Sequence, residues 1–322
     1  MSRRSSFIKF AAIGAVFASG LVQAQSNYPN RTVTIVNPWT AGGPAEALIR
    51  PIAERLTQRL GQPFVIETRA GANGTIGSNF VARAKPDGYT LLFGHVGPIA
   101  ISPGMAQKPP YDTLKDFAPI TQVASGATVL VVRADFQAKT LKEFLDYAKA
   151  NPGKVSYGSV GPGSTTHIAG ATVARMIGTE MVHVPYKGSA PINTDLVGGS
   201  ITSAFVNIAG AMPLIKEGRL RALATTTLKR PAVFPDLPTV HELLPNFEIN
   251  SWYGLLAPAG TPPEIVNMLY REVAAILRQP EVSERMITNG NDPEGTTPQQ
   301  FADKIKADLA RWADAIRAAN VN

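Results

Sequence analysis

Cysteine is absent from the 322 residues, which excludes disulfides, thiolate metal sites and thiol nucleophiles. Histidine occurs only four times, far apart in sequence, and no His-Glu-x-x-His spacing appears. No Lys/Arg run exceeds two residues and charged residues are 17% of the chain, so there is neither a nucleic-acid patch nor a charged tail. No Gly-x-Ser-x-Gly elbow is present, and the carboxylates are scattered, with no pair that sequence places on one face. An enzyme built from distant residues stays open, but nothing argues for one. What is present is a 44% apolar composition, that of a folded globular protein. Gly 28 and Pro 26 add many tight turns between short elements.

Residues 1–24 read as a secretory leader. Arg3, Arg4 and Lys9 are its basic region, residues 10–22 its apolar stretch, and Val22-Gln23-Ala24 its cleavage site. The stretch is too short to span a membrane, which takes about 20 apolar residues. Arg3-Arg4 with Phe7 and Lys9 approaches a twin-arginine signal, but Phe7 sits one place too far along, and ordinary secretion is favoured. Gln25 follows the cut where lipid attachment needs cysteine, so the expected product is free in a bacterial periplasm. Cleavage removes three positive charges and lowers the net charge from +7 to +4. That suits a small anionic ligand and no polyanion.

Strands and helices then alternate. Short apolar runs at 32–36, 64–66, 91–93, 129–132, 155–157, 182–184, 201–205 and 220–224 read as strands. Leu48, Ile52, Leu56 and Leu60 mark a helix stopped by Gly61, with Pro51 predicting a kink or a late start. Helices are also expected over 141–149 and 167–177. Near the C-terminus, Ile265, Leu269, Val273 and Ile276 form one helical stripe; Phe301, Ile305, Leu309, Trp312 and Ile316 form another. The pattern predicts an α/β protein with mostly parallel sheets. Residues 117–132 and 248–258 are extended and long enough to cross between two lobes.

Two strand-to-helix turns carry the chemistry. In Pro38-Trp39-Thr40-Ala41-Gly42-Gly43-Pro44, the glycines permit a tight turn and Pro44 suits the first helical position. Free N–H groups and the helix dipole would make it an anion site, or it is an ordinary turn. In Gly161-Pro162-Gly163-Ser164-Thr165-Thr166-His167, Ser164 or Thr165 is a natural N-cap. The final glycine of a dinucleotide fingerprint is missing, as is Gly-Lys-Ser/Thr, so no nucleotide cofactor is expected. His167 is read as packing or capping, and Gly71 to Gly77 as a structural loop.

Over most of the chain the sequence resembles the extracytoplasmic solute receptors of tripartite tricarboxylate transporters, the Bug receptors. Among the matching segments are Pro38-Trp39-Thr40-Ala41-Gly42-Gly43, Lys85-Pro86-Asp87-Gly88-Tyr89-Thr90-Leu91, Tyr157-Gly158-Ser159, His183-Val184-Pro185-Tyr186-Lys187-Gly188 and Pro235-Asp236-Leu237-Pro238-Thr239-Val240. The resemblance implies a two-lobed periplasmic binding protein, a Venus flytrap of type II kind. Lobe 1 is expected over 25–124 with 251–322, and lobe 2 over 125–250. It implies a carboxylate held by the two turns, largely through backbone N–H groups. The site residues are then Trp39, Thr40, Ala41, Gly43 and Glu46 of the first turn, and Gly163, Ser164, Thr165 and Thr166 of the second. His95, Val206 and Asn207 complete the expected cleft.

Four residues depart from the family pattern. Glu46 stands where Asp is frequent, Val206 replaces an Asp, His95 a small polar residue and Trp39 a Phe. Two helix starts suit a molecule with a carboxylate at each end, and Trp39 and His95 offer flat surface. The expected ligand is thus a dicarboxylate, aliphatic or aromatic such as terephthalate. An amino acid would need an ammonium partner, for which Glu46 is the candidate. The chain is expected to be a monomer without cofactor or metal, delivering its ligand to membrane transport subunits. Alternatives are a receptor reporting to a histidine kinase and a secreted enzyme acting on a small acid.

Overall fold

The computed structural model describes residues 28–319 apart from Ala232; the leader read over 1–24 lies outside them. A first sheet is built from β1 (Val33–Asn37), β2 (Phe64–Thr68) and β3 (Thr90–His95), paired in parallel and linked by α1 (Pro44–Leu60) and α2 (Thr75–Ala82). A π turn at Gly97–Ile101 and a one-turn α3 (Thr113–Asp116) lead into β4 (Phe117–Arg133). Next come α4 (Leu141–Ala150), β5 (Ser156–Ser159), α5 (Thr165–Met176), β6 (Val182–Pro185), α6 (Ser189–Gly198), β7 (Ser203–Asn207), α7 (Ile208–Lys216) and β8 (Leu220–Thr225). The chain returns through β9 (Asn250–Pro258) to α8 (Pro263–Leu277), α9 (Pro280–Thr288), β10 (Asn291–Pro293) and α10 (Pro298–Ala319).

The 17 residues of β4 span about 55 Å at ~3.3 Å per residue, enough to serve two sheets. From Phe117 to Ala127 they pair antiparallel with β9. From Thr128 onward they pair with β7, and from Val129 also with β8. Two register shifts against β9 supply the bend. The wings of both sheets are parallel, β1 with β2 and β3, and β5 with β6 and β7. Antiparallel ladders surround the crossing strands. Most of β4 is buried, so it reads as an apolar run without alternation.

α1 begins at Pro44 and runs through Pro51 to a left-handed Gly61, whose N–H bonds Thr57 O. The late start that Pro51 suggested does not occur. α8 buries Ile265, Leu269, Val273 and Ile276, the stripe the sequence shows. On α10, Phe301, Ile305, Trp312 and Ile316 are at most 1% exposed. That helix packs on β4, on the π turn and on α5, so it touches elements of both sheets. Phe301 meets Trp252 of β9 edge-on at 5.1 Å, and the Trp252 indole donates to Asp308 Oδ2 at 2.7 Å.

Candidate functional site: two helix starts at one cleft

The first turn leaves β1 at Asn37, whose Oδ1 accepts from Trp39 N at 3.2 Å. Gly42 has φ +74°, the left-handed region that glycine enters freely. Gly43 has φ −81° and ψ 175°, which any residue adopts. The conformational demand thus falls on Gly42 and not on Gly43. Pro44 opens α1 and spends no N–H. Glu46 turns back on its own turn: Oε2 accepts from Gly42 N at 2.7 Å, and the other oxygen pairs with Arg50. The Gly42 N–H, then Arg50, hold its carboxyl below the usual range. Among the described residues no acceptor meets the N–H groups of Thr40, Ala41 and Ala45.

The second turn precedes α5. Ser164 is its N-cap, accepting from His167 N at 3.1 Å and donating to Gly161 O at 2.6 Å. Thr166 Oγ1 lies 2.9 Å from Ser164 Oγ and accepts from Val160 N. These bonds leave the N–H groups of Thr165 and Thr166 without an acceptor among the described residues. Gly163 N donates to His167 Nδ1 at 3.4 Å. His167 stacks on His183 with centroids 3.8 Å apart, and Tyr157 extends the stack. Burial holds both imidazoles down to about 4, the neighbouring His183 adding to the effect on His167. His183 Nε2 meets the buried Ser159 hydroxyl at 2.6 Å.

Both turns open on a cavity of about 990 Å³. Trp39 and Thr40 line it from one side, and Gly161 and Pro162 from the other. Lys108 and Lys187 stand exposed on its rim, and no Asp or Glu is among its described lining residues. Ala41, Gly43 and Glu46, with Gly163, Ser164, Thr165 and Thr166, form the turns themselves and do not line this cavity. His95 lies behind Trp39, edge-on at 5.4 Å. Its Nδ1 accepts from Gly97 N at 3.1 Å, so Nε2 carries the proton and donates to Ser251 Oγ at 2.6 Å. Burial pushes this imidazole down to about 3. Val206 is fully buried in the core cluster that also holds Val129 and Ile192. Asn207 caps α7, accepting from Ala209 N at 3.0 Å, beside Gly126 where β4 changes sheets.

The cavity also takes residues outside the expected site set. Asn73 and Met105 line it, as do Tyr186 and Lys187. The signal for Asn73 was the Asn-Gly pair in a run, residues 71–74, whose φ values are all positive. Met105 and Tyr186 carry no such signal. Among the described residues no group of three His, Cys, Asp or Glu is placed to hold a metal. No described helix is long and apolar enough to cross a membrane.

The family model for the tripartite tricarboxylate transporter family receptor matches residues 48–321. A periplasmic binding protein of known structure, BugD, is 35% identical, covering 92% of this chain and 99% of its own, with a TM-score of 0.85. A Rhodopseudomonas palustris protein solved with adipate is 36% identical over 91% of this chain and 99% of that one, TM-score 0.87. MatC from Rhodopseudomonas palustris, solved with bound malate, is 33% identical over 90% and 100%, TM-score 0.83. The two-sheet architecture is that of the periplasmic binding proteins, and the chain belongs to the tripartite tricarboxylate transporter receptor family.

Proposed function

We propose that the chain captures a small dicarboxylate in the cleft and delivers it, without chemical change, to membrane subunits of a tripartite tricarboxylate-type transporter. The observation that carries this is the charge of the cavity. Thr40 of the first turn contributes to its wall an N–H unpaired among the described residues, and the starts of α1 and α5 behind the two turns each bear roughly half a positive charge. Two lysines stand at the rim, and none of the described lining residues is a carboxylate. Such a site favours an anion at each end and offers an ammonium group no partner. Glu46, the candidate for that role, is already engaged by Gly42 N and Arg50. The binding of adipate and malate by similar proteins supports the same ligand class. Export through a cleaved leader would place the product in the periplasm, where BugD belongs.

The test is a thermal-shift screen of adipate, malate, terephthalate, aromatic monoacids and amino acids, followed by calorimetry on hits. Binding at a hundredfold excess over Kd adds about 2.7 kcal/mol, which should raise the midpoint by several degrees. Stabilisation by amino acids alone would overturn the dicarboxylate. Lys187→Gln should slow association with adipate and flatten its salt dependence, because rim charges act mainly on the encounter. Recovery of chemically altered adipate after long incubation would favour an enzyme instead.

A further inference from the structure

Asn73 sits at the tip of the 71–74 turn and reaches across the cleft. Its Nδ2 donates to Gly163 O of the second turn at 3.1 Å. A rotated carboxamide would set oxygen against oxygen, so this bond also fixes which end is the amide nitrogen. Oδ1 is buried and has no donor among the described residues. The backbone at Asn73 is left-handed, φ 51° and ψ 35°, a conformation asparagine tolerates better than most residues. Behind it lies the end of the first sheet: a Cβ on Gly97 would meet the Asn73 carboxamide and His95 Nδ1, all within 3.3–3.5 Å. His95 in turn bonds Ser251, on the part of β9 that pairs with β4 at Gly126. A line of contacts thus runs from the crossing strands through His95 and Gly97 to Asn73, and from there into the opposite wall.

Gly163 is held at both of its polar groups. Its carbonyl accepts from Asn73 and its N–H donates to His167. Met105 Cγ, from the first wall, lies 3.3 Å from where a Cβ on Gly163 would stand. The next residue is the α5 N-cap, so displacing this carbonyl displaces the Thr165 and Thr166 amides.

We propose that Asn73 is a positioning residue for capture: its carboxamide ties the two walls together and sets where the second turn stands in the closed cleft. The consequence for ligand rests on the dicarboxylate reading; the tie itself does not. The test uses unliganded protein first. Because the chain lacks cysteine, Glu54→Cys on α1 and Lys154→Cys before β5, both exposed, report one interlobe distance through spin labels. Asn73→Gly keeps the left-handed backbone and removes the side chain. Asn73→Asp keeps shape and backbone but turns the donor into an acceptor. Both variants should shift the distances to longer values, with the open fraction relative to closed rising about two- to tenfold, the effect of one hydrogen bond. Adipate should then dissociate faster by a similar factor, with association and the thermal midpoint nearly unchanged. Unaltered distances in both variants overturn the proposal, as does a lowered midpoint without a distance shift. If neither adipate nor malate binds the parent protein, the ligand reading fails while the distances still decide on Asn73.

Discussion

Gly42 stands in open space at φ +74°, while a Cβ on Gly43 would meet Thr40 O at 3.2 Å. A side chain at Gly42 therefore costs backbone conformation, roughly 1–2 kcal/mol, and one at Gly43 costs room. Gly42→Ala should lower the thermal midpoint even without ligand. Gly43→Val should push Thr40 aside and weaken adipate binding more than Thr40→Ala does, as calorimetry would register. Equal affinity in Gly43→Val and the parent would move the anion site elsewhere. The histidines make a second prediction at this scale. Folding holds His167 and His183 near 4, against about 6.5 for a free imidazole. As pH falls, the unfolded chain takes up these protons first, so their penalty is absent above about 6.5 and grows toward about 4. The unfolding midpoint should decline through that window. The C2 proton shifts of both rings should stay those of neutral imidazole at pH 5.5; protonated shifts there would contradict the half-buried stack.

Among the elements, α10 illustrates how an apolar stripe becomes a joint. Phe301 is fully buried against Trp252, and a Cβ on Gly254 would come within 2.2 Å of its ring. Phe301→Ala should cost about 3–5 kcal/mol, measurable as a shift in urea midpoint at constant slope; a loss below 1 kcal/mol would mean the helix docks otherwise. The stripe itself was legible, since Phe301, Ile305, Trp312 and Ile316 recur at helical spacing. So were the long strand at β4, Pro44 as the first residue of α1 and the cap at Ser164, because each depends on local residue chemistry. The cleft wall was less so. Trp39 and Thr40 sit in a recognisable turn, but Asn73 and Met105 reach the cavity from loops whose approach depends on the whole chain path. Glu46 offered an ammonium partner in sequence, yet its reach of one extra methylene over Asp lets it close on Gly42 N. Pro51 pointed to a kink or a late start, but α1 begins at Pro44 and packing of Leu48, Ile49 and Ile52 carries it through Pro51.

On the scale of the whole molecule, two sheets share one strand and much of one core. Val36 and Leu92 of the first sheet occupy the same apolar cluster as Leu130, Tyr157 and Phe205 of the second, with Trp312 of α10 among them. Separate unfolding of either sheet would strip β4 of half its ladder and expose that common cluster. The cost would fall on the half left folded, so neither half has an independent ground state of comparable stability. A single cooperative transition is therefore expected despite the 292-residue length from Tyr28 to Ala319, beyond the size at which two-state behaviour is usual. Tryptophan fluorescence reports Trp39, Trp252 and Trp312, which lie in the first sheet's wall and in α10, whereas far-UV circular dichroism samples the helices of both sheets. In urea the two signals should coincide, and saturating adipate should move both midpoints together. Two resolved transitions, with only one responding to adipate, would show that β4 and α10 do not couple the sheets as their packing indicates.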